Sequence, residues 1–331
     1  MQLNQLKRRE FIAFLGSSAV AWPLGARGQQ PEMPLIGFLD AGSAAERVYV
    51  VDAFRQGLAA ADYIVGKNVA FEFRWADQQF DRLPNLAADL VGRKVTVIAA
   101  FGNAAALAAK RATTSIPVVF SSGSDPVAIG LLTSVNEPDA NLTGVSILNQ
   151  EFESTRLERL IQVVPHATTI AFLVNPDGLT TAAKSRDIEG AARAFGRELR
   201  VLNARGEGEF EAVFTSIEQR RIGAMLVASD TVFSNASAEL GRVSTRHRVP
   251  MIGAYRASAQ AGGLMSYGTA LADSYRRVGA YAARILKGER PGNLPVQQST
   301  KVEFVINLRT ATALGLTIPA SLRAIADEVI E

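Results

Sequence analysis

Cysteine is absent from the chain. That excludes disulfides, thiolate nucleophiles, cysteine zinc sites and iron–sulfur clusters together, and it predicts no lipid anchor, which would need a processed N-terminal cysteine. Histidine is scarce. His166 follows Pro165 in a loop and His247 lies between Arg246 and Arg248 at a helix end. Neither has the spacing of a metal ligand set, and both read as solvated or capping residues. The Gly-rich phosphate loop ending in Lys-Ser/Thr is missing, no G-x-G-x-x-G follows the first strand, and Gly144-Val145-Ser146 lacks the second glycine of a nucleophile elbow. No catalytic residue, metal or cofactor is therefore expected.

A surplus of positive charge is also lacking. The 35 Lys and Arg face 32 Asp and Glu. Setting aside Lys7, Arg8, Arg9, Arg27 and Glu10 of the N-terminal segment leaves 31 of each. A nucleic-acid binder needs excess Lys and Arg against phosphate, so nucleic acid is excluded as a partner. No apolar run reaches transmembrane length. The longest, Phe11 to Trp22, is broken by Gly and Ser and is too short to cross about 30 Å of hydrocarbon.

That run instead fits an export signal. Lys7-Arg8-Arg9 is a charged start, and Ala26-Arg27-Gly28 puts small residues where a signal peptidase accepts them, so residues 1–28 read as a leader cleaved near Gly28. Arg8-Arg9-Glu10-Phe11-Ile12 is similar to the twin-arginine signature; the general secretory route is the alternative. The expected location is the periplasm.

The whole chain is 48% hydrophobic and 20% charged, a globular composition long enough for two domains. After Pro34 it falls into a strand–helix rhythm. Strands are predicted at 35–39, 69–75, 95–100 and 117–120, with helices at 48–61, 83–91 and 104–111. The second half repeats the order, with strands at 169–174, 199–202, 223–228 and 250–253 and helices at 181–195, 210–219 and 237–247. Such alternation means α/β lobes, each a parallel sheet with helices on both faces.

In open parallel sheets, ligands sit off the carboxyl ends of the strands, where loops and helix N-termini present free N–H groups. The residues there are small and hydrogen-bonding: Ser43, Asn103 and Ser122-Gly123-Ser124-Asp125 in the first half, Asn175, Asp230 and Tyr255-Arg256 in the second. They suit a polar small-molecule cleft between two lobes. Each has an ordinary alternative. Asp125 before Pro126, Asp230 and Asn103 can cap helices; Ser122 and Gly123 can form a turn; Arg256 can be solvated. Tyr255 and Tyr267 can wall the cleft or pack an interface. Trp75 reads as structural.

Many short stretches in order carry a resemblance: Lys7-Arg8-Arg9-Glu10-Phe11-Ile12, Phe54-Arg55-Gln56-Gly57-Leu58, Arg74-Trp75-Ala76, Asp81-Arg82-Leu83-Pro84, Ser124-Asp125-Pro126-Val127, Asn141-Leu142-Thr143-Gly144-Val145-Ser146 and Phe304-Val305-Ile306-Asn307-Leu308. The chain resembles the ABC-transporter substrate-binding proteins of the tryptophan and branched-chain amino-acid type, which have the periplasmic-binding protein type I fold. The resemblance implies two Rossmann-like lobes joined by a multi-segment hinge that closes on ligand. Lobe 1 would be 33–148 plus about 270–292, and lobe 2 149–268 plus about 300–325, with crossings near 146–150, 267–268 and 291–300. It also implies a monomer that hands an amino acid or related carboxylate to an ABC-transporter permease, with Asp230 set for an α-ammonium group. A sensor signalling through a membrane receptor shares this fold and is the alternative. A transcription regulator's effector lobe would need a helix-turn-helix where the leader stands.

Overall fold

Short runs of Val, Ile, Leu and Phe between polar loops become central strands because a parallel sheet covered on both faces buries every side chain. The computed structural model describes residues 33–331 except 46, 137–140, 148–151 and 179. The expected leader and its cleavage point near Gly28 lie outside the described residues.

The first lobe alternates β1 (Leu35–Asp40), α1 (Val48–Ala59), β2 (Ala70–Trp75), α2 (Leu83–Gly92), β3 (Val97–Phe101), α3 (Asn103–Ala112), β4 (Val118–Ser122) and β5 (Leu142–Ser146). Its sheet order is β11-β5-β4-β3-β1-β2, with β11 (Gln297–Gln298) closing one edge, and all its pairings are parallel. Val95 and Thr96, expected in a strand, lie ahead of β3. The interior β3, β4 and β5 are buried throughout, while edge strand β2 is half-buried at every position.

The second lobe runs α4 (Glu153–Val163), β6 (Thr169–Val174), α5 (Thr181–Ala194), β7 (Glu198–Asn203), α6 (Phe210–Gln219), β8 (Ala224–Val227), α7 (Thr231–Asn235), α8 (Ser237–Arg246), β9 (Met251–Gly253), α9 (Arg256–Gln260) and β10 (Met265–Thr269). The chain then returns to the first lobe as α10 (Leu271–Leu286) and β11. It re-enters the second as β12 (Val302–Asn307), α11 (Leu308–Ala313), α12 (Ala320–Ala324) and β13 (Glu328–Ile330). The sheet order is β13-β12-β10-β9-β8-β6-β7. The expected parallel pattern holds for the rest of this sheet, while β12 runs antiparallel to β10. It comes back from the first lobe and enters the sheet from the opposite end, so no crossover helix forces it parallel.

Helix α10 shows that the first lobe is discontinuous in sequence: Tyr275, Val278, Tyr281 and Ala282 share a core with Phe54, Leu58, Phe38 and Phe101. Helices α1 and α10 approach through glycines. A Cβ added at Gly57 would lie 2.0 Å from the Arg276 carbonyl oxygen, and one at Gly279 2.3 Å from that of Phe54. No helix among the described residues is long and apolar enough to cross a membrane.

Candidate ligand-binding cleft

The carboxyl ends of both sheets face a cavity of about 630 Å³. From the first lobe it is lined by Phe80, Leu83, Pro84, Ala88, Asn103, Ala104, Leu107, Ala108, Arg111, Ala112, Gly123 and Ser124. The second lobe contributes Val174, Asn175, Asp177, Gly178, Thr180, Thr181, Lys184, Arg205, Ala228, Ser229, Asp230, Val232 and Tyr255. Of the residues expected there, Asn103, Gly123, Asn175, Asp230 and Tyr255 reach the cleft.

Asn103 owes its place to Gly102, whose φ of +87° turns the chain sharply from β3 into α3, a conformation a side chain would resist. The Asn103 amide then organises the first-lobe loop. Its Nδ2 donates to Ser124 Oγ at 2.9 Å, and its Oδ1 accepts from the Gly123 N–H at 3.0 Å and from Ser122 Oγ at 2.9 Å. Ser122 is fully buried and stands behind the wall.

Three other expected contacts also lie off the cleft lining. Asp125 is exposed, and its Oδ1 accepts from the Val127 and Ala128 N–H groups at 2.8 and 3.4 Å. It caps a run of turns over 126–130, where a helix was expected. Ser43 is half-buried in the loop after β1. Tyr267 sits on β10, and its ring packs edge-on against Phe152 and Phe304 beneath the Arg159 guanidinium, 4.2 Å from the ring centre. Strand alternation turns that side chain to the sheet's covered face. Arg256 pairs with Glu303 and Glu328 instead of facing a ligand.

The second-lobe wall rests on buried charge. Asp230 Oδ1 caps α7 by accepting from the Val232 N–H at 2.8 Å, while Oδ2 lies 3.5 Å from Asn175 Nδ2. Burial raises the Asp230 pKa above the usual carboxylate range, although the Val232 N–H, the Lys184 ammonium and the Asn175 amide oppose it. The preceding residue is clamped by charges the sequence reading did not single out. The Ser229 N–H donates to Glu153 Oε1 at 3.3 Å, its hydroxyl accepts from Arg156 Nη2 at 2.8 Å and its carbonyl from Lys184 Nζ at 3.0 Å. Arg156 also donates to the Tyr267 carbonyl at 3.1 Å and lies 3.4 Å from Glu153. Burial lowers the pKa of both Arg156 and Lys184, with Glu153 the largest opposing charge. The signal for this clamp is Glu153 and Arg156 falling on the same helical stripe as Leu157, Leu160 and Val163, where charge is not expected unless paired.

Beside Tyr255 a polar chain joins the lobes. The Arg47 guanidinium of the first lobe donates to Asn235 Oδ1 of the second. Arg47 lies 3.4 Å from buried Asp40, whose other oxygen accepts from the Tyr275 hydroxyl at 3.0 Å. Among the described residues no cluster of three or more His, Cys, Asp or Glu could hold a metal ion.

A cleft between two parallel-dominated sheets, each offering its strands' carboxyl ends, defines a two-lobed α/β binding protein of the periplasmic-binding protein type I fold. The chain belongs to the ABC transporter substrate binding protein family, whose model matches residues 41–330. It is similar to a tyrosine-binding protein of Clostridioides difficile, at 24% identity over 263 residues, covering 80% of this chain and 75% of that one. Among solved structures it is similar to a conserved domain protein from Vibrio cholerae, with TM-score 0.82, 23% identity and coverage of 90% of this chain and 100% of that one. It is also similar to the ABC domain from Streptococcus pneumonia in complex with L-Trp, with TM-score 0.81, 22% identity and coverage of 90% and 99%. A ligand-free, open substrate binding protein with adhesive properties from Clostridium difficile matches at TM-score 0.65, 22% identity and coverage of 90% and 99%.

Proposed function

We propose that this chain is the periplasmic solute-binding component of an ABC-type importer, holding an amino acid or related carboxylate between its lobes and releasing it unchanged to a permease in the inner membrane. The observation that carries the reading is the pairing, across one cleft, of a half-buried carboxylate at Asp230 with the neutral Asn103–Gly123–Ser124 loop. Asp230 takes the ligand ammonium, helped by Asn175; the first-lobe loop and Tyr255 take its polar oxygens. Ser122 supports Asn103, and Asp125 fixes the loop from outside. The protein acts as a monomer, and the three crossings between the lobes serve as its hinge. The tyrosine and L-Trp named for its relatives support an aromatic amino acid among the ligands.

Calorimetry on the mature chain with tyrosine, tryptophan and branched-chain amino acids, with native mass spectrometry of the protein from its own periplasm, tests this. A single stoichiometric amino acid or carboxylate is expected. Asp230→Ala should weaken binding by about 1.5–3 kcal/mol. Unchanged affinity with a lower melting temperature would reduce Asp230 to a helix cap.

A further inference from the structure

The cleft is longer than the polar cluster around Asn103, and the first-lobe wall beyond that cluster is apolar as far as Arg111. Six residues of α3 line it: Asn103, Ala104, Leu107, Ala108, Arg111 and Ala112. Their spacing is that of a single helix face, so the cavity follows α3 from its first residue to its last, about 13 Å at 1.5 Å per residue. The neutral hydrogen-bonding groups that the first lobe contributes, Asn103, Gly123 and Ser124, stand at the Asn103 end. Beyond them the face offers only Leu107, Ala108 and Ala112 before Arg111 at the rim, and α2 opposes it with Leu83, Pro84 and Ala88. Pro84, Ala88 and Arg111 are exposed and Leu107 is half-buried, so this apolar channel is open and continuous with the polar end.

Phe80 extends the same surface. It packs against the cores of both lobes and follows Asp77 and Gln78, two successive residues with positive φ of 49° and 64°. Their N–H groups are pinned to the Gly42 and Ala41 carbonyls at 3.2 and 2.7 Å. Non-glycine residues hold such backbone only where the surroundings fix it. Here the fixed turn leads directly to an aromatic ring at the edge of the channel.

We propose that the cleft takes an elongated amphipathic ligand, with its ammonium or carboxylate head between Asn103 and Asp230 and an unbranched or aryl-ended apolar chain laid along α3 against Leu107, Leu83 and Phe80. This rests on the solute-binding reading above and narrows it: a ligand confined to the polar end leaves Leu107 and Ala112 partly wet. Continuity with the polar end favours the ligand's own chain as occupant, because head and chain then share one cavity.

Two homologous series separate the possibilities by calorimetry: ω-phenyl-α-amino acids starting at phenylalanine, and the matching ω-phenylalkanoates, each lengthened by one methylene per step. Affinity in at least one series should rise about fourfold per methylene over the first several steps, the fold-change that burying one CH₂ gives, and then level off. Ala88→Trp, placed on the exposed side of α2, should end that rise earlier, and Ala112→Trp should end it only for the longest members. Phenylalanine binding with no gain on lengthening, alike in the wild type and Ala88→Trp, overturns the channel and leaves the solute-binding reading standing. Failure of every member of both series while tyrosine, tryptophan or a branched-chain amino acid binds overturns the channel alone; failure of all of them overturns the amino-acid or carboxylate reading, and the channel with it.

Discussion

The first-lobe wall of the cleft is held by neutral hydrogen bonds among Asn103, Ser122, Gly123 and Ser124, on a helix whose open face is Ala and Leu. The second-lobe wall is held by Glu153, Arg156 and Lys184, all buried, converging on the backbone and hydroxyl of Ser229 so that Asp230 is fixed beside them. Equivalent loops of two similar lobes thus rest on different physics. A neutral hydrogen bond contributes about 1 kcal/mol net. Removing one member of a buried charge set strands the others in a medium that cannot solvate them. Perturbation should therefore be costlier in the second lobe than in the first.

The largest expected effect follows directly. Glu153→Gln removes the anion that Arg156 and Lys184 share, leaving Lys184 only the more distant Asp230, and should destabilise folding by about 3–5 kcal/mol, read by urea denaturation, with ligand affinity falling as Ser229 loosens. Replacing the set together, as in Glu153→Leu with Arg156→Met and Lys184→Met, should recover part of the loss, because no charge of the set is then stranded. If the single variant is as stable as the wild type, the charges are not what holds the second wall.

The first lobe has its own sensitive point, set by packing. Gly57→Ala drives a methyl into the Arg276 carbonyl at the α1–α10 crossing, so α1 must move away from a helix that reaches it only after the second lobe is built. A loss of about 1–3 kcal/mol is expected from such overpacking. Gly190→Ala, with nothing near its added methyl on α5, should be neutral or slightly stabilising through helix propensity. Equal effects at the two positions would remove close approach as the cause.

On the neutral wall, Asn103→Ala deletes the hub of the loop but leaves Ser122 and Ser124 able to bond one another, since Ser122 Oγ already lies 2.7 Å from the Ser124 carbonyl. The expected stability loss is only about 1 kcal/mol, while ligand affinity falls about tenfold if Asn103 touches the ligand. A loss comparable with Glu153→Gln would erase the contrast between the walls.

That contrast marks what was readable in the sequence. Strands were legible because central parallel strands are continuous apolar runs, and Asn103, Gly123, Asn175, Asp230 and Tyr255 because each follows such a run. Residues set by more than one element were hidden. Tyr267 lies in the middle of β10, and its ring packs on Phe304 of the antiparallel partner β12, which arrives after a passage through the other lobe. Helix α4 was missed because Glu153 and Arg156 interrupt its apolar stripe, and those interruptions are the clamp itself. Lys184 reads as an ordinary helix charge until α4 is placed over it. The channel along α3 needed α2 as its second wall.

Charge alone does not make the second lobe sensitive, and His247 is the place to show it. At the end of α8 its two ring nitrogens lie 2.8 Å from Glu218 and 3.0 Å from Glu211, both carboxylates more than half exposed. Its partial burial disfavours the charged ring, but the hydrogen bonds and charges of the two carboxylates outweigh that and raise its pKa above 6.5. A raised pKa means that the folded state holds the proton more tightly. The contribution is therefore complete below about pH 6.5, the unfolded value, and is lost as pH rises through the higher folded value. Melting curves of the wild type and His247→Gln should differ most near pH 6 and converge toward pH 9, and even the widest gap should fall below those of Glu153→Gln, Gly57→Ala and Asn103→Ala, because solvent screens the pair. A gap constant with pH would mean that the ring contributes by packing on Phe214, 5.6 Å away, and not by charge. A gap matching that of Glu153→Gln would show that burial is not what separates the clamp from a surface pair.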